Sequence, residues 1–467
     1  MIWNLSAYEK NTALLDGEDV YTYGQLRAAG EALAAQFPSR SLVFLLCTNT
    51  AGAIAGYTGM LNAGHVPLLL DASISRTLLE DLRSAYRPSY YLIPEKMESE
   101  FPDARCVYRF LGYSLLDLGE TEPYPMHEDL CVLISTSGST GSPKLVRQTK
   151  TNIVSNTESI IRYLQITASE RAITSLPMNY VYGLSVINTH LYAGATLVLT
   201  DQNPYSKLFW NLVRDREVTS FAGVPFTYEM MDKLRIMKLD LPSLKTMTQA
   251  GGKLLPALHL KYAQLAEERG FRFVVMYGAS EATARMGYLP AERTVEKQGS
   301  MGIPIPGGRF ELIDENDQPI DEPNKTGELV YYGPNVTYGY ATSGPDLARG
   351  DDNGGRLVTG DMAYFDEDGF YFIVGRKKRF LKMLGKRVNL DETERLLKNE
   401  LSTVDIACAG KDDELRIFIT DETLKEPAEE YIFRELGINR KLLRTYVIGE
   451  IPKNASGKVQ YSMLNEW

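Results

Sequence analysis

The chain has 467 residues, of which 60 are acidic and 50 are lysine or arginine, giving a net charge of −10. This length exceeds what one hydrophobic core normally serves, so two or more domains are expected. The net negative charge argues against a nucleic-acid-binding protein. The basic run at 376–379 does not change this, because it belongs to no wider basic stripe.

Composition also indicates the compartment. No apolar run approaches the roughly 20 residues of a membrane span, and the first residues lack the charged-then-apolar pattern of a signal peptide. Cys47, Cys106, Cys131 and Cys408 show no Cys-x-x-Cys spacing, which is typical of thiols in a reducing compartment. The four histidines form no metal-ligand pattern. We therefore expect a cytoplasmic protein without a membrane span.

Buried strands and helices alternate through the first three quarters of the chain. Strands are predicted over 41–47, 66–70 and 90–93, with helices over 51–61 and 75–85 between them. The pattern resumes with a helix over 151–164, strands over 172–175 and 195–199, and a small-residue helix from Gly183. Such alternation predicts βαβ units and parallel sheets with covered faces, hence an α/β fold.

The pattern changes twice towards the C-terminus. Short strands with many Gly and Pro turns over 299–340 predict a β-rich subdomain. Beyond residue 375 a hairpin (379–388), two helices (390–401 and 426–436) and strands near 404–409 and 415–420 predict a small α+β unit. We therefore predict a large domain over 1–375 and a small one over 376–467.

A loop rich in glycine and hydroxyl residues follows the apolar strand at 130–134. Its backbone N–H groups are unhindered by bulky side chains, so it can wrap phosphate oxygens, and a terminal lysine adds charge. The Walker A spacing is absent, since a proline precedes the lysine and leucine follows it. The residues of this predicted phosphate loop are Thr136, Ser137, Gly138, Ser139, Thr140, Gly141 and Lys144.

The loop resembles that of the ANL adenylating superfamily, which contains acyl-CoA synthetases, peptide-synthetase adenylation domains and firefly-type luciferases. Four further segments resemble family motifs in the same order. They are Tyr-Gly-Ala-Ser-Glu at 277–281, Gly-Glu-Leu at 327–329 with Gly-Tyr at 339–340, Thr-Gly-Asp at 359–361 with Asp-Gly at 368–369 and Gly-Arg at 375–376, and Pro-Lys-x-x-Ser-Gly-Lys at 452–458. With the loop, this collinear set of five motifs identifies the chain as resembling the ANL superfamily.

The resemblance implies a reaction in two halves. A carboxylic acid is activated with ATP and Mg²⁺ to an acyl-adenylate, and pyrophosphate is released. The acyl group then passes to a phosphopantetheine thiol on coenzyme A or on a carrier protein. A mobile C-terminal lid serves both halves, and because this lid is short for the family, the carrier protein is favoured as partner.

The resemblance also implies roles at the nucleotide. Glu281 would bind magnesium, and Ser280 would hydrogen-bond the α-phosphate. Asp361 would accept both ribose hydroxyls, while Arg376 would reach the ribose or a phosphate. The remaining nucleotide-binding positions are Tyr277, expected to stack on adenine, with Gly278, Ala279, Gly251 and Gly252. Lys253 replaces the family's alanine after the two glycines and is not assigned a role.

Four lid residues match family positions. Lys458 would enter the site and bridge the carboxylate and the α-phosphate in the transition state. Lys378 matches the hinge residue and favours the acyl/aryl branch, since adenylation domains of peptide synthetases usually have aspartate there. Lys382 and Gly385 match the hairpin that lines the pantetheine tunnel.

The acid pocket is predicted from the segment 176–184. The lining positions are Tyr180, Gly183, Val224, Gly251 and Ala282. No aspartate occurs from Ser175 to Val186, so an α-amino acid would leave its ammonium without a counter-charge at a cost of several kcal/mol. An acid without an α-amino group is therefore favoured. Arg285 could meet a second carboxylate, although a surface or structural role is preferred, and Leu145 stands where the family has glycine.

Three alternatives remain. A free-standing amino-acid adenylation enzyme of the D-alanine type suits the chain length but not Lys378 or the missing aspartate. A luciferase-like oxygenase is compatible with the fold, but no feature of the sequence indicates a reaction with oxygen. A non-catalytic nucleotide-binding protein is opposed by the intact Glu281, Asp361 and Lys458.

Overall fold

The computed structural model describes residues 2–135, 144–383, 386–401, 403, 405–453 and 459–465, without the side chains of Lys386, Arg387 and Asn465. Within these ranges, no helix combines the length and apolarity needed to cross a bilayer.

The helices are α1 (Tyr23–Ala34), α2 (Ala51–Ala63), α3 (Arg76–Tyr86), α4 (Lys150–Leu164), α5 (Val181–Tyr192), α6 (Lys207–Asp215), α7 (Pro225–Lys233), α8 (Pro256–Arg269), α9 (Leu390–Glu400), α10 (Lys425–Leu436) and α11 (Tyr461–Asn465). The strands are β1 (Thr12–Asp16), β2 (Asp19–Thr22), β3 (Leu42–Cys47), β4 (Val66–Asp71), β5 (Tyr90–Pro94), β6 (Arg105–Phe110), β7 (Tyr113–Asp117), β8 (Leu130–Ser135), β9 (Leu145–Thr149), β10 (Arg171–Ile173), β11 (Thr196–Leu199), β12 (Ser220–Gly223), β13 (Thr246–Gln249), β14 (Arg272–Tyr277), β15 (Gly287–Tyr288), β16 (Ile303–Pro304), β17 (Arg309–Ile313), β18 (Gly327–Tyr332), β19 (Tyr340–Ala341), β20 (Arg356–Phe365), β21 (Tyr371–Arg376), β22 (Phe380–Met383), β23 (Lys386–Asn389), β24 (Ile406–Lys411), β25 (Glu414–Ile419) and β26 (Leu443–Val447).

Two large sheets form the N-terminal part. The first has the strand order β16-β15-β14-β13-β12-β10-β11-β1-β2, and the second has the order β19-β9-β8-β4-β3-β5-β7-β6. Their centres are parallel, β14 to β1 in the first and β8 to β5 in the second. Every residue of β3 is buried, as expected for a strand covered on both faces. The predicted parallel sheets are therefore confirmed at their centres.

The edges of both sheets differ from the prediction, because they are antiparallel. β2 turns back on β1, β7 pairs antiparallel with β5 and β6, and β9 returns along β8. Antiparallel neighbours need only a short connection, whereas parallel ones need a crossover. The short segments between these strands at the edges left no room for a crossover helix.

The predicted β-rich subdomain and C-terminal unit are both present. The former contains the four-stranded sheet β17-β18-β20-β21, and the latter contains the β22-β23 hairpin and the sheet β24-β25-β26 with α9 and α10. The C-terminal unit has its own core, in which Leu397, Ile417 and Ile432 are fully buried. The mixed α/β fold with a smaller α+β unit is thus confirmed, and the boundary after residue 375 stays a prediction.

Leu145 has a structural explanation. It begins β9, where it is fully buried and pairs with Ser135 of β8 and Ala341 of β19. An apolar residue therefore extends the core directly after Lys144, where the family has glycine.

Candidate active site

Three of the predicted site residues lie at the carboxyl ends of neighbouring parallel strands. β12, β13 and β14 are adjacent, and Val224, Gly251 and Tyr277 lie at or just beyond their last residues. In open α/β sheets this edge is where ligands bind. Six loop residues (Thr136 to Gly141), Gly385 and Lys458 lie outside the described residues, so their roles stay predictions.

Lys144, Tyr340 and Glu281 form a first cluster. The Lys144 ammonium lies 5.9 Å from the centroid of the Tyr340 ring, and the Tyr340 hydroxyl donates a hydrogen bond to Oε1 of Glu281. Burial, and then the Glu281 charge, raise the pKa of Tyr340, so its hydroxyl stays protonated at neutral pH. The end of the phosphate loop therefore lies beside the predicted magnesium ligand, and Tyr340 is a site residue to which the sequence assigned no role.

An unusual turn follows Glu281. Thr283 has φ 65° and ψ −62°, and the Ala284 amide donates to the Ala282 carbonyl at 2.7 Å, which defines a γ-turn. This turn is rare and strained, above all for a β-branched residue. It is held by the Thr283 hydroxyl, which donates to the Asn335 carbonyl at 2.8 Å. Such strain persists only where the surroundings impose it, as they often do at functional sites.

Gly278 and Ala282 support this turn from inside. A Cβ at Gly278 would lie 1.8 Å from the Ala284 carbonyl oxygen, so only glycine fits. Ala282 is fully buried in a cluster with Phe310 and Leu329. The structure thus gives Gly278 and Ala282 packing contacts, while their roles towards nucleotide and acid stay predictions. Ala279 and Ser280, which lie between Gly278 and Glu281 in the sequence, are half-buried.

The donor set at Glu281 fits magnesium shared with phosphate. Glu281 offers one carboxylate, and no group of three or more His, Cys, Asp or Glu that could hold a metal was found in the described ranges. Mg²⁺ commonly uses one or two carboxylates together with substrate phosphates and water. Glu281 would therefore hold the ion from one side, with Tyr340 orienting its carboxylate.

The Glu281→Gln variant tests this role. Glutamine keeps the size and the acceptor for Tyr340 but loses the charge, so we expect the magnesium concentration for half-maximal pyrophosphate release to rise about tenfold or more. A magnesium titration measures it. Glu311→Gln is the matched control, because Glu311 also accepts from a tyrosine hydroxyl (Tyr332, 3.3 Å) away from the site. An unaltered titration for Glu281→Gln would exclude the role.

Asp361 is the centre of a second cluster. It pairs with Arg376 across β20 and β21, and the Arg376 Nε lies 2.7 Å from its Oδ1. The Tyr277 hydroxyl donates to Oδ2 at 2.5 Å. Asp361 is only 6% exposed, and its two oxygens face two different partners. This geometry fits the predicted grip on two ribose hydroxyls.

Tyr277 has a contact that the sequence analysis missed. It was expected to stack on adenine, but here its hydroxyl orients Asp361, 84 positions later in the chain. Burial, and then the Asp361 charge, raise the pKa of Tyr277 well above its usual value, so the hydroxyl remains a donor. The adenine role stays a prediction.

Three residues of the predicted acid pocket come together. Gly251 has φ +87°, and a Cβ there would lie 2.6 Å from the Tyr180 hydroxyl and 3.3 Å from Val224 Cγ1. A side chain at 251 would therefore displace both neighbours, and Gly252 lies directly beside Pro225. At Gly183 the close neighbour is the Pro177 carbonyl, 2.2 Å from a hypothetical Cβ, which is a packing contact within the fold.

Lys253 points away from this pocket. Its ammonium donates to the Ile373 carbonyl on β21 at 2.9 Å. The lysine that replaces the family's alanine therefore contacts the strand that leads to the C-terminal unit.

Lys378 is exposed between two anchored neighbours. Lys377 forms an ion pair with Glu328 of β18 at 2.6 Å, whereas Arg379 pairs with Asp391 of α9 and donates to the Cys408 carbonyl at 3.1 Å. One neighbour is thus held by the β-rich sheet and the other by the C-terminal unit. This arrangement suits the predicted hinge.

Lys382 and Lys453 mark two further parts of the lid. Lys382 is exposed on β22, and its amide donates to Asp412 at 2.8 Å. Lys453 and Val459 form an isolated bridge, and the Lys453 ammonium lies 5.1 Å from the centroid of the Phe226 ring on α7. The residue that precedes the undescribed segment 454–458 is therefore placed near Val224 and the acid pocket.

Known proteins resemble the chain over most of its length. It is 27% identical to the oxalate–CoA ligase of Arabidopsis thaliana over 351 residues, covering 71% of this chain and 66% of that protein. It is 25% identical to the 2-succinylbenzoate–CoA ligase of Bacillus subtilis over 472 residues, covering 97% and 94%. The chain thus spans just under two thirds of the plant relative and nearly all of the bacterial one.

Solved structures share the fold. The o-succinylbenzoate CoA synthetase of Bacillus subtilis in complex with its acyl-adenylate intermediate has a TM-score of 0.78 at 22% identity, covering 98% of this chain and 97% of that one. A structure of that enzyme with ATP and a magnesium ion has a TM-score of 0.75 at 23% identity, covering 98% of both chains. The family model described as AMP-binding enzyme matches residues 3–341, well over half of the chain. The chain therefore belongs to the AMP-binding enzyme family, and the resemblance of its motifs to the ANL superfamily is confirmed.

Proposed function

We propose that the protein activates a carboxylic acid with ATP, forms an acyl-adenylate and releases pyrophosphate. The acyl group is then transferred to a pantetheine thiol, which attacks the acyl carbon and displaces AMP. The observation that carries the proposal is the position of two clusters on one short segment. Tyr277 binds Asp361, and four residues later Glu281 binds Tyr340 beside Lys144. This segment follows the end of β14, next to Gly251 and Val224.

The chemistry requires two anions to be held in line. The acid carboxylate attacks the α-phosphorus, and the bond to the bridging oxygen of pyrophosphate breaks. Magnesium, when bound, neutralises phosphate charge. Lys144 and Glu281 then act at the phosphate end, Asp361 with its partners Tyr277 and Arg376 fixes the ribose, and the bare backbone at Gly251 leaves room for the acid. The protein therefore contributes chiefly positioning and charge stabilisation.

The short lid and the named relatives favour different acceptors for the acyl group. The short lid favoured a carrier protein, whereas the named relatives in Arabidopsis thaliana and Bacillus subtilis are CoA ligases. We propose coenzyme A as the acceptor on this support, and the carrier protein stays a prediction. A cytoplasmic location is proposed on the four free cysteines, since thiols persist in a reducing compartment.

Acid-dependent exchange of pyrophosphate into ATP tests the first half-reaction. The purified protein, ATP and magnesium are assayed with a panel of acids, and we expect exchange only with the accepted acids. Coenzyme A and a phosphopantetheinylated carrier protein are then offered side by side, and thioester should form on coenzyme A. No exchange with any acid would overturn the proposal, and oxygen uptake would favour the luciferase-like alternative.

A further inference from the structure

We propose that the acid carries a second anionic group, and that Arg285 binds this group in the acid pocket. The inference rests on the proposed function and specifies its substrate class. A dicarboxylic acid is the simplest member of that class, with one carboxylate reacting near Gly251 and the other held by the guanidinium.

Arg285 is a buried cation for which the described residues supply no counter-charge. Arg285 is only 3% exposed, which excludes the surface part of the surface or structural role preferred from the sequence. In the part of the chain that the structure describes, no carboxylate lies within the 4.0 Å of an ion pair with it, and its buried Nε has no hydrogen-bond partner. An isolated charge is costly to bury, so buried charges are normally paired. The pairing group is therefore expected from outside the described protein.

The contacts of the Arg285 side chain are neutral. Nη1 donates to the Ala284 carbonyl at 3.1 Å, and the guanidinium carbon lies 4.0 Å from the centroid of the Tyr182 ring. Tyr163 is a third neighbour: burial raises the pKa of its phenol, and the nearby guanidinium charge opposes that rise. These contacts orient the guanidinium but do not neutralise its charge.

The main chain at Arg285 is fixed independently of its side chain. Its amide donates to Oδ1 of Asn156 at 3.3 Å, and its carbonyl accepts from the side-chain amides of Asn156 and Asn335, each at 2.9 Å. A structural arginine would hold the fold through its guanidinium. Here the backbone contacts hold this segment, and among the guanidinium groups the buried Nε is left as a donor for a ligand.

Arg285 lines a small cavity whose apolar lining residues Tyr182 and Met276 belong to the same hydrophobic cluster as Val224 of the predicted acid pocket. The cavity measures about 30 Å³ and is lined by Arg285, Tyr182, Ser185, Thr248 and Met276, among others. The Tyr182 ring lies 6.3 Å from that of Tyr180, which contacts Gly251. The cavity and the predicted acid pocket are therefore neighbours, and the small volume suits a compact acid better than a long acyl chain.

The carboxylate of Glu170 lines the same cavity but is engaged elsewhere. It accepts a hydrogen bond from the Thr219 hydroxyl and lies 3.7 Å from the Lys245 ammonium. Arg272, also a lining residue, donates to the Thr246 hydroxyl at 2.8 Å. Because Arg272 has a neutral polar partner and Arg285 has an unpartnered Nε, Arg272 is a matched control for Arg285.

The experiment compares acids that differ only in the second charge. Succinate and its monoamide succinamate are one such pair, and glutarate with glutaramate and phthalate with phthalamate extend the series in length and shape. With the wild type, we expect kcat/KM for pyrophosphate release to be about 100-fold higher for the best diacid than for its monoamide. The reason is that the second carboxylate of the diacid pairs with Arg285, whereas the neutral amide cannot neutralise that charge.

Arg285→Gln should reduce this preference to a few fold, mainly by raising KM for the diacid, while Arg285→Lys should keep part of it and Arg272→Gln should keep it whole. ATP binding by calorimetry and the thermal midpoint report whether each variant is folded. If Arg285 is only structural, Arg285→Gln lowers the midpoint and leaves the preference intact, which overturns the inference.

The failures can be told apart. Exchange with monocarboxylic acids but equal or lower activity with every matched diacid overturns the inference and leaves the proposed function standing. An equal preference for a diacid and its neutral monoamide shows that Arg285 binds a neutral acceptor, which also overturns it. No exchange with any acid overturns both.

Discussion

Replacing Lys458 by alanine is expected to slow adenylate formation by about 100- to 1,000-fold while ATP affinity stays within a few fold. A cation that meets the carboxylate and the α-phosphate only as charge builds up stabilises the transition state more than the bound substrates, so kcat falls and binding does not. The role comes from the resemblance of the 452–458 segment to the family motif. It is supported by Lys453, at the start of that segment, which lies beside Phe226.

Single-turnover pyrophosphate release measures the adenylation rate, and calorimetry measures ATP binding. Lys441→Ala is the control, because Lys441 is an exposed lysine of the same C-terminal unit. Thioester formation from preformed acyl-adenylate should be affected much less, since the lid uses another position for that step in this family. Near-native pyrophosphate release by Lys458→Ala would refute the assignment.

Asp361→Ala is expected to weaken nucleotide binding by at least about 100-fold. Hydrogen bonds to a charged acceptor contribute about 1.5–3 kcal/mol each, and two are assigned to the ribose. The substitution also removes the carboxylate that Arg376 and Tyr277 contact, so the variant reports the whole cluster. Calorimetry with AMP measures the loss.

A change in the nucleotide separates the ribose contacts from the rest of the cluster. The wild type should bind AMP much more tightly than 2′,3′-dideoxy-AMP, whereas Asp361→Ala should bind the two alike. Such a cycle isolates the interaction between the carboxylate and the hydroxyls. If the variant still discriminates between the two nucleotides as strongly as the wild type, the ribose hydroxyls bind elsewhere.

Local patterns predicted much of the fold and of the site. The alternation of strands and helices located the sheet centres, because a buried parallel strand must be apolar throughout, as β3 is. The motif at 359–361 located Asp361, and the nearby Gly-Arg located its partner Arg376, which the β20–β21 pairing places opposite it. Both depend on residues close in the sequence.

Contacts between distant segments could not be predicted in this way. The Tyr277–Asp361 hydrogen bond joins the first sheet to the β-rich subdomain. Its two residues are 84 positions apart, and no local sequence pattern indicates that they meet. The γ-turn at Thr283 opposes the preference of a β-branched residue, so the sequence argued against it. One sequence signal pointed to the burial of Arg285, namely a lone charge in the run 282–286. The sequence analysis preferred a surface or structural role, and the surface part of that prediction was wrong.

The pairing of Arg376 with Asp361 has a consequence for the order in which products leave. Arg376 ends β21 and is held to β20, two positions before the exposed Lys378. If the lid turns about Lys378, this hairpin and the nucleotide contacts predicted for Asp361 and Arg376 would not move with it. AMP would then stay bound while the thiol enters and the thioester departs, and it would be the last product released.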